Sequence, residues 1–360
     1  MSLISKIFPT PVYLQLPLAG LDISDRAIKY VELVTHHGKL RLAKFEETEI
    51  EEGIIKGGVV LNKDKFISIL RKMCGKIGQT LFHISLPEEK AYLVEMQLPT
   101  SARSDLRGAI ELHLEEHVPL ETAGVTFDFQ IVHKPKDSPK GEYTVAVSVI
   151  ETNFVESYFE VLSEAGLSPI GFEFESQALA RVVVDRKING ITMVVDIGRE
   201  QSHVSIVSQG IVRSTSSLSV GGNAFVRAIM EDLKVDGLEA LRLKETEGLF
   251  RRGKDKSPFG SIIRVASVLR DEMWERLIYW NTGRERSNAK DVINQVVLCG
   301  GNANVPGLLE YLTSGIDVNV SVANPWVNIL SLDDNVPDLI ARESLKYCTA
   351  LGLALRSRET

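Results

Sequence analysis

Residues 191–223 read ITMVVDIGREQSHVSIVSQGIVRSTSSLSVGGN. An apolar strand, Met193 to Val195, runs into Asp196, and Gly198 follows within two residues. A second strand then alternates, with His203, Ser205 and Val207 set against Val204, Ile206 and Ser208. Gly210 turns the chain, a third strand follows, and Gly221-Gly222 precedes a helical run. A carboxylate at a strand end, followed by a tight turn that glycine permits, brings an acid and backbone N–H groups close together. N–H groups hold phosphate oxygens, and such an acid holds a metal ion, usually through water.

The same plan occurs near the start of the chain. Leu18 to Asp22 is an apolar run into Asp-Ile-Ser24, Ala27 to Val34 reads as the second strand and Leu40 to Phe45 as the third. A strand–turn–strand–turn–strand unit used twice is an internal duplication, and repeats outrank local features in reading a fold. Two facing copies predict a cleft with one acidic, N–H-lined loop from each side. That is a cleft for nucleotide phosphates.

The 360 residues suffice for two or more cores, and 44% hydrophobic with 25% charged residues is ordinary globular usage. A net charge of −7 gives no support for nucleic-acid binding, which needs a basic face. Cys74, Cys299 and Cys348 lie far apart in apolar surroundings, which predicts a reducing compartment and buried thiols. No apolar run reaches the roughly 20 residues of a membrane helix. The N-terminus MSLISKIFPTP puts Leu3, Ile4, Ile7 and Phe8 on a short helical face, read as a docked segment and not as an anchor or signal peptide.

Between the two copies, Asn62 to Cys74 reads as an amphipathic helix and Leu81 to Leu86 as a strand. Residues 91–166 then read as β-α-β-β-α, a compact inserted module: Ala91 to Leu98, Ser104 to His117, Thr126 to Val132, Tyr143 to Ile150 and Asn153 to Ala165. Ile170 to Phe174 is a strand and Glu175 to Asp185 a helix. After the second copy come helices at Ala224 to Leu233, Leu238 to Phe250 and Ile262 to Trp280, with a charged linker at Arg251 to Pro258. Gln295 to Cys299 is a buried strand, Val305 to Thr313 a helix, Val318 to Val322 a strand and Leu345 to Leu355 a closing helix. Gly300-Gly301-Asn302, between a buried strand and a helix, is a third candidate ligand loop.

Neither G-x-x-x-x-G-K-[ST] nor a G-x-G-x-x-G after a strand occurs. His113-Leu-Glu-Glu-His117 fits the H-x-x-E-H pattern, but His117 stands at a helix end before Val118-Pro119 and no third ligand is signalled. Interaction with the last carbonyls of the helix explains it more simply than zinc. Glu46, Glu47, Glu49, Glu51 and Glu52 read as a solvated acidic loop.

These motifs resemble the actin-like ATPase superfamily and, more closely, the PilM family of type IV pilus assembly, itself similar to the cell-division protein FtsA. The resemblance is carried by Gly20-Leu-Asp-Ile-Ser24, Lys29-Tyr-Val-Glu-Leu33, Met96-Gln-Leu-Pro99, Glu115-Glu-His-Val-Pro119 and Val194-Val-Asp-Ile-Gly198. Val220-Gly-Gly-Asn223, Leu298-Cys-Gly-Gly301, Val305-Pro-Gly-Leu308, Asn324-Pro-Trp326 and the segment 350–356 complete it. It implies an α/β, actin-like (ribonuclease-H-like) fold of two lobes with an inserted FtsA/PilM-type module. The implied division is a first-lobe core at 18–90 plus 167–190, the module at 91–166, a second-lobe core at 191–222 plus 291–357, and an outer subdomain at 223–290.

The resemblance also implies ATP with Mg2+ in the cleft. Asp22 and Asp196 would hold Mg2+ through water. Ser24, Gly198, Arg199 and Ser202 would contact phosphates, with Gly221 and Gly222 close by. Gly300, Gly301, Asn302 and Glu272 would hold the nucleoside. Two positions depart from the family pattern: Ser24 replaces a glycine, and Glu275 stands where an arginine is usual. The implied partner is a PilN-like bitopic membrane protein, whose N-terminal cytoplasmic peptide docks between the module and the first lobe. Pilus assembly ATPases and self-association are further implied contacts, and the membrane is reached only through the partner, from the cytoplasm. ATP binding with at most slow hydrolysis is the expectation, and no general base is named. Three alternatives stay open: a nucleotide-free docking scaffold, a sugar-kinase-like phosphotransferase, and an FtsA-like cell-division protein. The last is disfavoured because no amphipathic extension follows Arg356.

Overall fold

The two apolar runs that end in Asp22 and Asp196 are the middle strands of two sheets. The computed structural model describes residues 17–136, 138, 141–188, 190–250, 257–283 and 292–358. The helical face expected at Leu3 to Phe8 and residues 251–256 of the charged linker lie outside the described residues.

The chain opens with an antiparallel meander, β1 (Leu18–Ile23), β2 (Ala27–His36) and β3 (Lys39–Glu49). A short two-stranded ladder follows, β4 (Ile55–Lys56) with β5 (Val59–Val60). Helix α1 (Lys63–Ile77) starts where the Asn62 side chain accepts from the Lys65 N–H, at 3.1 Å. It buries Phe66, Ile67, Leu70, Met73 and Ile77 on the first lobe, at about 2 kcal/mol for each large side chain. Strand β6 (Leu81–Leu86) pairs parallel with β1.

The inserted module comes next: β7 (Tyr92–Leu98), α2 (Leu106–His113), β8 (Val125–His133), β9 (Tyr143–Glu151) and α3 (Thr152–Glu164). Its sheet has the order β7-β9-β8. Met96, Ile110, Leu114, Val145, Val147 and Val149 form a core of its own. β9 alternates in sequence yet is buried along both faces, because its small polar face, Thr144, Ala146 and Ser148, turns away from that core and is covered as well. Strand β10 (Ser168–Phe174) then pairs with β6, completing a sheet of order β10-β6-β1-β2-β3.

Helix α4 (Glu175–Val183) crosses to the second lobe. There β11 (Ile191–Ile197), β12 (Ser202–Ser208) and β13 (Ile211–Leu218) repeat the meander. Helices α5 (Gly222–Leu233), α6 (Gly237–Thr246) and α7 (Phe259–Gly283) follow. Strand β14 (Ile293–Cys299), α8 (Leu308–Thr313) and β15 (Asn319–Val322) complete a sheet of order β13-β12-β11-β14-β15. The two sheets therefore share one strand order, with β1/β11, β2/β12, β3/β13, β6/β14 and β10/β15 as equivalents. The chain closes with α9 (Ala341–Ser344) and α10 (Cys348–Arg356). α10 packs on β1 and α4, and a Cβ at Gly352 would overlap the Ala178 carbonyl, so glycine sets how closely the two helices cross.

Several boundaries differ from expectation for physical reasons. The acidic residues Glu46, Glu47 and Glu49 belong to β3 and not to a loop: Lys76 and Lys346 pair with Glu46 and Glu47, at 2.5 and 2.6 Å. Helix α8 begins three residues later than Val305, because Pro306-Gly307, with φ +78 at Gly307, delays it. Helix α2 stops at His113 and a 3-10 turn follows over Leu114–Glu116, so His113 and His117 do not share a regular helix face.

Candidate functional site

Equivalent strand ends face each other across the lobes. Asp22 is the penultimate residue of β1 and lies opposite Lys29 on β2. Asp196 is the penultimate residue of β11 and lies opposite His203 on β12, with Cys299 of β14 on its other side. Their surroundings differ. Asp22 is buried, accepts from the Ser85 hydroxyl at 3.0 Å, and has the Lys29 ammonium 3.7 Å from its other oxygen. Asp196 is half-buried, and burial pushes its carboxyl up from the usual range; the Asp22 charge adds to this, while His203 and Lys29 oppose it. Lys29 thus faces both acids.

Further carboxylates converge from the first lobe. Glu175, the first residue of α4, has its pKa raised well above normal by burial and then by the charges of Asp22, Glu89, Asp196 and Glu88. Glu88 and Glu89 sit in a 3-10 turn after β6. Glu88 is buried and accepts from the Ser176 N–H at 3.1 Å; burial raises its pKa against the pull of that bond and of His203. Glu89 accepts from the Gln201 side chain at 2.6 Å and lies 3.8 Å from His203, which ties the first lobe to β12. Among the described residues no group of three or more His, Cys, Asp or Glu is placed to hold a metal ion. A cluster of acids pushed upward in pKa, answered by one lysine and a histidine, has the chemistry that a hydrated divalent cation with phosphates relieves. The donor set therefore fits Mg2+ held through water and not by direct protein ligation.

Three glycine-bearing loops interlock behind Asp196. The Gly222 N–H donates to the Gly198 carbonyl at 2.9 Å, and the Asn223 N–H to the Arg199 carbonyl at 2.8 Å. Gly221 lies against the Glu200 backbone with no room for a Cβ. The Asn302 amide donates to the Ile197 and Gly198 carbonyls at 3.2 and 2.8 Å, and its oxygen accepts from Lys244 at 2.8 Å. Gly300 has φ +81, and a Cβ there would overlap Asp196 Oδ1. These glycines let one loop approach another. Gly301 lies beside them, with its nearest neighbour on Lys346.

Several residues singled out from sequence take other parts. Ser202 is fully buried and its hydroxyl donates to the Val220 carbonyl at 2.5 Å, so it fastens the β13–α5 loop. The Ser24 N–H and hydroxyl both donate to the Ala27 carbonyl at 3.0 Å, closing the β1–β2 turn. Glu272 accepts from the N–H and hydroxyl of Ser219, at 2.9 and 2.5 Å, and so anchors the loop that leads to Gly221. Asn302 is a clamp between loops, with its amide engaged at both ends. Arg199 is exposed at the loop rim, and Glu275 is exposed beside Arg276.

Three residues were missed. Lys29 was visible in principle: a hairpin turning at 24–26 places residue 29 opposite residue 22. Glu175 stands at a strand-to-helix junction, whereas Asp196 was picked out by a strand end and a glycine turn, so the pattern that found Asp196 does not reach Glu175. Lys244 had no local signal. It is a buried lysine of α6 whose pKa burial lowers, recognisable only once Asn302 is beside it.

A second concavity lies between the module and the first lobe. It is a cavity of about 150 Å³ lined by Asp128, Gln130, Ser148, Glu173, Arg181 and Arg356. Glu173 is buried and shared by two guanidiniums: Arg181 at 2.5 and 2.6 Å and Arg356 at 2.8 Å. His83 is buried beneath them, and burial with the two arginine charges lowers its pKa to about 4.

A family model described as type IV pilus assembly protein PilM matches residues 20–358. Among solved structures, the chain is similar to a PilM-PilN type IV pilus biogenesis complex, at 22% identity and a TM-score of 0.77, over 95% of this chain and 98% of that one. It is also similar to MreB5 of Spiroplasma citri bound to ADP, at 12% identity and a TM-score of 0.58, over 96% and 97%. The ethanolamine utilization protein EutJ from Carboxydothermus hydrogenoformans matches at 18% identity and 0.53, over 97% and 90%. The fold is the actin-like α/β fold.

Proposed function

The chain belongs to the type IV pilus assembly protein PilM family, and from that premise we propose that it binds Mg2+-ATP between its lobes and docks a membrane partner's tail. The observation that carries the nucleotide reading is the meeting of Asp196 with Lys29, Asp22 and Glu175 in front of three interlocked loops. Asp196, with Asp22 behind it, would hold Mg2+ through water. Lys29 and the 198–201 loop, with Arg199 at its rim, would take the phosphates. Glu272, Gly300, Gly301, Asn302 and Lys244 would shape the nucleoside side. Glu175 would be the carboxylate that orients a water. Burial and the neighbouring acid charges favour its protonated form, which accepts no proton, so slow turnover is expected and the nucleotide acts chiefly on lobe closure.

The four-part division at 18–90 plus 167–190, 91–166, 191–222 plus 291–357 and 223–290 is part of the same proposal. The cavity over Glu173, Arg181 and Arg356 supports docking of an extended peptide between module and first lobe, the N-terminal tail of a PilN-like protein. No helix among the described residues is long and apolar enough to cross a membrane. The partner would supply that link from the cytoplasmic side. The test is calorimetric titration of the partner's synthetic N-terminal peptide. Saturable binding that Arg356→Ala weakens by about tenfold is expected. Absence of binding to the unaltered chain would end the docking reading.

A second reading has one observation in its favour. Lys29 already neutralises Asp22, and Ser24 spends its hydroxyl on its own turn, which suits a scaffold that needs no nucleotide. Mg2+-ATP titration separates the two.

A further inference from the structure

Arg213 joins three parts of the molecule at one point. It lies on β13 and is 3% exposed. Its guanidinium donates to both oxygens of Glu95, on β7 of the inserted module, at 2.8 and 3.0 Å. The same group lies over the ring of Trp280, near the C-terminal end of α7, at 5.3 Å. A bidentate arginine–carboxylate pair fixes direction as well as distance.

The backbone is shaped for this contact. Opposite β12, Val207 pairs with Val212 and Ile206 with Ser214, so Arg213 is the extra residue of a bulge. A bulge re-aims a side chain, and here it leaves Val212 and Arg213 both buried although they are neighbours in a strand. The first copy of the repeat has its bulge at the equivalent place, between Glu32 and Leu33, where Ala43 is the extra residue and is exposed. The bulge belongs to the repeated unit. The arginine that reaches the module belongs to the second copy alone.

The other ends of the same two elements meet at the cleft. β13 leads into Ser219, and Glu272 of α7 holds Ser219 by two hydrogen bonds. Six residues of strand separate Arg213 from Ser219, about 20 Å. Eight residues of helix separate Glu272 from Trp280, about 12 Å. β13 and α7 are thus fastened to each other twice, once beside the nucleotide loops and once against the module.

We infer that β13 and α7 form a lever that links the loop at 219–222 to the inserted module through the Arg213–Glu95–Trp280 latch. Movement at the cleft then reaches the module whose inner side forms the cavity over Glu173. This rests on the proposed nucleotide cleft for its natural trigger, but not for its mechanical content.

Amide hydrogen exchange on the full chain tests it at both ends. Without nucleotide, Glu272→Ala cuts the cleft end and should speed exchange in β7. The paired change Arg213→Met with Glu95→Gln cuts the module end without leaving a buried charge, and should speed exchange at 219–223. Each distant effect should be roughly fivefold or more, the lower end of ordinary coupling. With Mg2+-ATP, β7 should be protected in the unaltered chain and not in the paired variant. Loosening confined to the cut end in both variants overturns the lever, whatever nucleotide does. Loosening at both distant ends, with no response of the unaltered chain to Mg2+-ATP, supports the lever and removes the nucleotide reading instead.

Discussion

Asp22 and Asp196 end equivalent strands in equivalent sheets, yet one is spoken for and the other is not. Asp22 has an ammonium and a hydroxyl on it and is 5% exposed. Asp196 is half-buried among acids, and its carboxyl is pushed upward. The duplication fixed where the carboxylates stand, and the residues opposite them decided what each can do. A lysine opposite Asp22 pairs with its carboxylate, whereas the residue opposite Asp196 is a histidine and burial pushes that carboxyl upward. The strands beside them diverge likewise. β6 runs into Pro87 and the acids Glu88 and Glu89, and β14 runs into Gly300, Gly301 and Asn302.

The contrast breaks most visibly in stability. Asp22→Ala should cost about 3 kcal/mol in urea unfolding, because Lys29 and Ser85 lose a buried partner. Asp196→Asn should cost less than about 1 kcal/mol, because it removes a disfavoured charge. Equal losses would show that the two sites are not differently built. Gly300→Ala should cost about 3 kcal/mol as well, since it combines a strained φ with overlap on Asp196.

The acids that crowd Asp196 give a pH dependence with a defined sign. Burial raises the folded-state pKa of Glu175, Glu88 and Asp196, and like charges add to this at Glu175 and Asp196. The folded state then holds protons that the unfolded chain releases from about pH 4 upward. Their contribution is therefore most favourable below that value and is lost as pH rises through the raised pKa values. Glu175→Gln should stabilise the nucleotide-free protein more at pH 8 than at pH 5 in paired urea titrations, and a pH-independent effect would contradict the crowding.

The smallest effect concerns Ser202. Ser202→Ala should cost about 1 kcal/mol through the lost bond to Val220 and leave ATP affinity within about twofold. A large loss of affinity at unchanged stability would return the hydroxyl to the phosphate.

The repeat was legible because strand periodicity, Asp-Ile and the glycine turns recur in order, and those signals are local. Strand ends therefore came out well, as at Leu81–Leu86. The site was legible only where backbone carried it. Asp22, Asp196 and the glycine loops follow from the strand–turn plan, and Ser24 bonds within its own turn, while Ser202, Asn302 and Glu272 found partners in other elements. Ser202 reaches Val220, 18 residues on, and Asn302 reaches Gly198, 104 residues back. No local pattern reports such a bond. The same reason hid Lys244 and the Arg213–Glu95 pair, which span 58 and 118 residues.

The central claim is that the cleft binds a magnesium nucleotide through Asp196, and calorimetric titration of Mg2+-ATP into the full chain and its Asp196→Ala variant tests it most directly. Saturable binding that needs Mg2+ and weakens by about thirtyfold or more in the variant is the predicted result. No binding to the unaltered chain, or equal binding by both, would contradict it.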